Sequence, residues 1–290
     1  MKTLQELFKE GKIWLGSSEG DALCSEISEA ISSSNLKAMR PLKLEKASEG
    51  LLHQELGWDG FRSGSIHEWF SITTNPYPSC SILSYLAAER LKNFFLNLSA
   101  FEQQEILQFK KRFPQYVLWI GRDSWPTPYV IEKTFRILLD RNQLFSFLPN
   151  CIFVDPPSED LKQWAILAAL SSPAISVVIS ELGSIPLSKS KQIVLSAQKA
   201  GSLGFFSRIP REQFAINAFH SKWGVRFRKS NLPDQHYGFE LELLKCKGRQ
   251  PKNTIWEVDF DYRGENERVH MHISPNVVDK HSRASVAKSA

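Results

Sequence analysis

From about residue 50 onward, short uninterrupted apolar runs alternate with longer stretches in which apolar residues recur at helical spacing. The runs SIHEWFS (65–71), YVLWI (116–120), CIFV (151–154), AISVVI (174–179) and LGFF (203–206) are too short for helices and predict strands. The stretches at 79–98, 101–113, 130–141 and 186–200 predict helices, the second ended by Pro114 and the last by Gly201. Asp155-Pro-Pro closes CIFV, and Ser158 followed by Glu159 and Asp160 has the form of an N-cap with acids in the first turn. A strand that is apolar along its whole length is covered on both faces. That is the pattern of a mostly parallel sheet flanked by helices, and the expected class is α/β.

The pattern changes after about Trp223. Residues 224–228, 239–246 and 254–262 read as strands joined without helices, which predicts an antiparallel extension of the sheet. Residues 264–290 are poor in apolar residues and show no period, the composition of a disordered tail. At the other end, Leu4, Leu7, Phe8 and Ile13 recur near helical spacing and predict a helical arm with one apolar face, which must meet the body or a partner. The expected organisation is an arm (1–45), an α/β core (46–263) and a tail (264–290).

Composition narrows the class further. With 290 residues, 42% of them hydrophobic, the chain can bury a substantial core. No apolar run approaches the roughly 18 residues that cross a bilayer, and MKTLQELFKEGK is a charged amphipathic start unlike a signal peptide, so the expected location is cytoplasmic, with no membrane partner. Cys24, Cys80, Cys151 and Cys246 lie far apart without C-x-x-C spacing, which points to reduced, buried thiols and no metal site. A net charge of +5 permits contact with a polyanion but is far below that of a dedicated DNA-binding domain.

Strand, loop and helix over 65–91 form the setting of a phosphate-binding loop. Such a loop needs G-x-x-x-x-G-K-[ST], whose glycines bring backbone N–H groups to the phosphates while Lys and Ser/Thr engage the terminal phosphates and Mg²⁺. Here the loop reads ITTNPYPS, with no glycine or lysine and with Pro76 and Pro78 removing two donors. Thr73, Thr74, Asn75 and Ser79 are its only polar candidates, and Ser79 also suits a helix N-cap. A metal-holding acid would end an apolar strand. The strand AISVVI instead runs into Ser180, with Glu181 one step further, where alternation turns it to the other face; Asp155 ends a different strand and suits a turn.

Other motifs fail on context. Gly201-Ser202-Leu-Gly204 approximates a nucleophile elbow but lies where a helix ends and a strand begins, the reverse of what the elbow needs. His67-Glu68 lacks the second His of a zinc protease and sits in a strand pattern, and His270-Met-His272 falls in the expected tail. Lys245, Lys247, Arg249 and Lys252 gather at one hairpin tip. Such a tip can neutralise phosphates in a salt-sensitive way or be an ordinary solvated turn, and it is the candidate contact for DNA or a partner. Trp223 with Arg226, Arg228 and Lys229 forms a second basic stretch with one aromatic for base stacking.

Taken in order, GSIHEWF, AISVVISEL followed by a helix and AGSLGFFSRI, FELELLKCKGR, and the early KIWLGSS resemble the ImuA family of RecA-like proteins, over roughly residues 10–262. These are SOS-mutagenesis accessory proteins, related in turn to SulA-type cell-division inhibitors. The resemblance implies a RecA-like sheet in which IHEWF leads into the remains of a P-loop and Ser180 takes the place of the metal-associated acid. It implies a non-enzymatic adaptor of error-prone translesion synthesis after DNA damage, without cofactor. Its implied partners are a Y-family-like polymerase subunit and an error-prone replicative-type polymerase, with RecA and DNA as further candidates. Two alternatives stand beside it: a SulA-like division inhibitor, and a divergent ATPase using Thr73, Thr74, Asn75 and Ser79 with Glu181 or Asp155 at the metal.

Overall fold

The computed structural model describes residues 13–15, 61–71, 77–108, 115–140, 143–230, 238–248, 251, 254–261 and 270–277. In chain order these form β1 (Ile13–Leu15), β2 (Ile66–Ser71), helices α1 (Tyr77–Leu96) and α2 (Ala100–Gln108), and β3 (Tyr116–Ile120). There follow α3 (Pro128–Thr134), β4 (Arg136–Asp140), β5 (Gln143–Ser146), β6 (Cys151–Val154), α4 (Glu159–Leu170), β7 (Ile175–Glu181), α5 (Leu187–Ala200) and β8 (Leu203–Arg208). The chain closes with β9 (Ser221–Arg228), β10 (Gly238–Cys246), β11 (Thr254–Asp261) and β12 (His270–Val277).

The α/β class holds. One ten-stranded sheet has the order β1-β6-β3-β7-β8-β2-β9-β10-β11-β12, and β4 and β5 form a separate hairpin. Strands β6, β3, β7, β8, β2 and β9 run parallel, while β1 at one edge and β10 to β12 at the other are antiparallel to their neighbours. The parallel strands are buried on both faces, as their unbroken apolar runs require. On one face Trp69, Trp119 and Phe205 pack with Leu83, Leu91 and Phe95 of α1 and with Ile106 of α2 and Ile131 of α3. On the other, Val178 and Phe206 pack with Ile166 and Leu170 of α4 and with Ile193, Val194 and Ala197 of α5.

Local signals account for the helix ends. Ser158 caps α4, its hydroxyl accepting from the Leu161 N–H, and Gly201 closes α5 in the left-handed region at φ 78°. Helix α1 begins at Tyr77, with Pro78 in its first turn where a missing N–H costs nothing; Ser79 therefore lies inside the first turn and is not the cap.

Four expectations are corrected. The helix expected over 130–141 stops at Thr134, and Arg136–Asp140 turns back as a strand on β5; the apolar run RILLD pairs there more readily than it continues a helix. Strand β9 belongs to the parallel core, since its chain crosses from β8 over β2 through the 3₁₀ turn Pro210–Phe214, and the antiparallel extension begins only at β10. Within the expected tail, His270–Val277 pairs along all of β11. Ile13–Leu15, expected in the helical arm, is a strand against β6; the rest of that arm lies outside the described residues.

Candidate functional site

In an open parallel sheet, ligands sit at the carboxyl ends of strands where successive connections leave toward opposite faces. The chain leaves β3 toward the α1 face and leaves the flanking β6 and β7 toward the α4 face, so their carboxyl edge is such a point. Beyond β3, Gly121 adopts φ 86°, a conformation costly for any residue with a Cβ, and its N–H donates to the Val154 carbonyl at 2.9 Å. The turn Arg122–Ser124 follows, and the Cys80 thiol of α1 donates to the Asp123 carbonyl at 3.7 Å, which brings the start of α1 to this edge.

Charged side chains converge here. Arg122 Nε lies 2.8 Å from the Asp155 carboxylate that ends β6. Lys162 of α4 lays its aliphatic stem over Gly121 and places Nζ 3.0 Å from Glu159 and 3.9 Å from Glu181. Asp123 lies near enough for its negative charge to act on Glu181. Burial pushes the Glu181 carboxyl above its ordinary range; Lys162 opposes this, and the neighbouring acids Asp123 and Glu159 reinforce it. Among the described residues, no three His, Cys, Asp or Glu side chains are grouped as metal ligands.

Ser180 contributes nothing to this edge. Its side chain is fully buried, with Oγ 2.8 Å from the Ile120 carbonyl and 2.9 Å from that of Glu181, so the hydroxyl is spent inside the sheet. Asp155 is held by Arg122. Thr73, Thr74 and Asn75 lie outside the described residues.

The basic hairpin stands at the opposite edge. Because Gly238 pairs with Arg228 and Cys246 with Ser221, the β10–β11 tip lies beside the amino ends of the parallel strands. Lys247 is exposed there, its N–H donating to the His220 carbonyl at 2.8 Å. Lys245 belongs to the strand and reaches back to the Asn217 carbonyl at 3.5 Å, whereas Arg249 and Lys252 lie outside the described residues. Trp223 cannot stack on a base: it is fully buried and stacks on Trp69 with ring centroids 5.4 Å apart. Arg228 is drawn to Asp259 and Glu257.

Two buried polar clusters escaped the sequence reading. Glu68 of β2 accepts from Arg208 at 2.6 Å and from Asn217 at 2.8 Å, with Lys222 Nζ 3.8 Å away. Burial pushes its carboxyl upward, against the pull of Arg208, Asn217 and Lys222. On the other face, His67 lies between Ser65 Oγ, 2.6 Å from Nε2, and Ser221 Oγ, 2.6 Å from Nδ1. Ser65 donates its proton to the Arg62 carbonyl, so it accepts from Nε2–H, and Ser221 donates to Nδ1 while accepting from the Trp223 indole at 2.8 Å. The ring is thereby fixed as neutral, and burial, with His220 nearby, lowers its pKa well below the ordinary value. The only hint of either cluster in the sequence is a charged or polar residue inside an apolar strand. Neither a protein-family model nor a curated protein matches this chain.

Proposed function

We propose that this chain is a non-catalytic, RecA-like accessory protein of the DNA-damage (SOS) response. It supports error-prone translesion synthesis by holding together a Y-family-like polymerase subunit and an error-prone replicative-type polymerase, with RecA and DNA as further contacts. The single observation that carries this reading is Ser180. It is the next-to-last residue of β7, near the carboxyl edge of a parallel sheet, where a metal-dependent phosphoryl-transfer site keeps an acid, and its hydroxyl is consumed by the Ile120 carbonyl. The loop sequence ITTNPYPS and the family resemblance support the same view. The test is affinity purification of the tagged protein from cells treated with a DNA-damaging agent, beside untreated cells. Damage-dependent enrichment of the two polymerases is expected, and recovery of the division GTPase in their place would favour the SulA-like alternative.

One observation favours a second reading, a divergent ATPase. Asp123 and Glu181 stand at the β3–β7 edge with Lys162 beside them, one position beyond Ser180. Equilibrium titration with a fluorescent ATP analogue and Mg²⁺ separates the two. Saturable binding lost in Glu181→Gln supports the ATPase, and no binding up to high micromolar analogue leaves the adaptor.

A further inference from the structure

Strand β12 alternates polar and apolar residues along its whole length, and its register on β11 fixes the face on which each set lies. Trp256 and Val258 of β11 belong to the core on the α1 face, and they are paired with Pro275 and Ile273. The alternate residues of β11 therefore lie on the opposite face of the sheet. Among them, Asp259 is paired with His272 and Asp261 with His270. Strand pairing thus brings two acids and two histidines together on one face.

The two acids differ in what else they meet. Asp259 is buried and drawn to Arg228 of β9, which also approaches Glu257 at 3.7 Å. Asp261 lies beyond that group. The register of β10 with β11 runs only from Glu242 opposite Ile255 to Phe239 opposite Val258, and the strand paired with Asp261 is β12. Of the other cations on this face, Arg226 is paired with Glu240, while Lys222 and Lys245 stand at the far ends of β9 and β10 on carbonyl acceptors. Arg263 and Arg268 belong to the connection 262–269, outside the described residues, together with two acids, Glu265 and Glu267.

Asp261 stands directly opposite His270 and diagonally from His272. Opposite residues of an antiparallel pair have Cβ atoms about 5 Å apart, and residues two apart on one strand are separated by about 7 Å. One ion at this spacing can take two imidazole nitrogens and a carboxylate oxygen at about 2.0–2.2 Å. Two imidazoles with one carboxylate favour zinc, nickel or copper over magnesium or calcium. A plain aspartate–histidine ion pair accounts for His270 but leaves His272 over, because the acid opposite His272 is engaged by Arg228. No three described side chains form a ligand group by themselves, so the site exists only while β12 keeps its register on β11.

We propose that Asp261, His270 and His272 bind one divalent ion of the zinc class, and that the ion fastens β12 to the sheet. Asp261 ends β11 and His270 begins β12, so the ion closes the connection between them as a clip. Among the described strands β12 is the outermost and is paired with β11 alone. Metal binding that requires this register adds its free energy to the docking of the strand. Three protein ligands leave a fourth position for water. The inference stands independently of the accessory role, since it uses none of the residues on which that role rests.

The test is calorimetric titration of the full chain with zinc chloride, on protein that carries no polyhistidine tag and has been stripped of metal with a chelator. Saturable uptake of one Zn²⁺ per chain is expected, with Ni²⁺ competing and a large excess of Mg²⁺ without effect. His270→Gln/His272→Gln abolishes this uptake. Asp261→Asn, which leaves both imidazoles in place, weakens it at least about tenfold and so separates a cross-strand site from a pair of surface histidines. A cooperative thermal transition without metal verifies that each variant is folded, and Zn²⁺ raises the melting temperature of the native chain but not of the double variant. The native chain alone gives a second reading: bound Zn²⁺ protects His270 and His272 from diethyl pyrocarbonate, scored by mass spectrometry. No saturable uptake, an affinity unchanged in Asp261→Asn or in the double variant, or labelling of His270 and His272 that zinc does not alter overturns the proposal.

Discussion

Glu68 and Arg208 meet between the adjacent parallel strands β2 and β8, the guanidinium Nη1 2.6 Å from the carboxylate, with both side chains withdrawn from water. Taking two charges out of solvent costs more than their attraction returns unless further hydrogen bonds complete them. Asn217 supplies one to Glu68 and Glu212 one to Arg208, while the Lys222 ammonium adds its charge 3.8 Å from Glu68. The same groups anchor the β8–β9 crossover, which lacks the helix that usually covers such a connection, so the network stands in for helical packing over this part of the sheet.

Removing one partner of that pair leaves the other charge buried. Arg208→Met is expected to lower stability by about 3–5 kcal/mol in urea denaturation. The double variant Glu68→Gln/Arg208→Met should lose clearly less than the sum of the two single changes. Additive losses would mean that the two groups act independently.

His67 should make stability depend on pH. Its ring is kept neutral in the folded chain and protonates in the unfolded chain near the ordinary histidine value, so the unfolded state binds the extra proton. Stability is then full above about pH 6.5 and falls by about 1.4 kcal/mol per unit as pH drops below it, until the lowered folded pKa is reached. His220, lowered by burial and by Lys247, adds to the slope. Urea midpoints measured from neutral pH to pH 5 check this. His67→Gln is expected to flatten the curve while lowering it at neutral pH, and an unchanged slope would remove His67 as the cause.

The parallel core was legible because burial on both faces writes unbroken apolar runs such as ISVVIS, and the helix ends because Ser158 and Gly201 act through local geometry. What was misread depended on distant partners. RILLD has an apolar period compatible with a helix and becomes a strand only because QLFS returns beside it. HMHISPNV is polar enough to resemble a tail, yet as the outer strand of the sheet it needs only one neighbour, β11. That AISVVI runs into a serine could be read directly. The approach of Asp123 to Glu181 could not, since only the pairing of β3 with β7 brings the turn after β3 beside the end of β7. Charge counting also misled for Lys245, because a cation inside a strand looks solvated until the fold shows its carbonyl acceptor.

Among the described residues, the buried thiols of Cys80 and Cys151 should be chemically silent. Burial pushes Cys80 up to about 12 and Cys151 higher still, which leaves almost no thiolate at neutral pH. With excess aromatic disulfide reagent, Cys80 and Cys151 are expected to react only in denaturant, at the rate of global unfolding. Rapid labelling of Cys80 in the native chain would show that the α1 contact with the Asp123 carbonyl opens without unfolding.

Glu181 should give the carboxyl edge a pH response opposite in sign to that of His67. Burial raises its pKa in the folded chain, helped by Asp123 and Glu159 and opposed by Lys162. Between the ordinary carboxylate value and this raised value, the folded state keeps a proton that the unfolded state has released. Stability from this group is therefore fully present at low pH and is lost as pH rises through the raised value. Glu181→Gln keeps the shape of the side chain and cannot ionise. Its advantage in melting temperature over the native chain is expected to be largest near neutrality and to shrink as pH falls toward the ordinary carboxylate range. Asp123→Asn removes the like charge and should bring the Glu181 transition back toward that range. A difference between Glu181→Gln and the native chain that does not vary with pH would mean that Lys162 fully compensates the buried carboxylate.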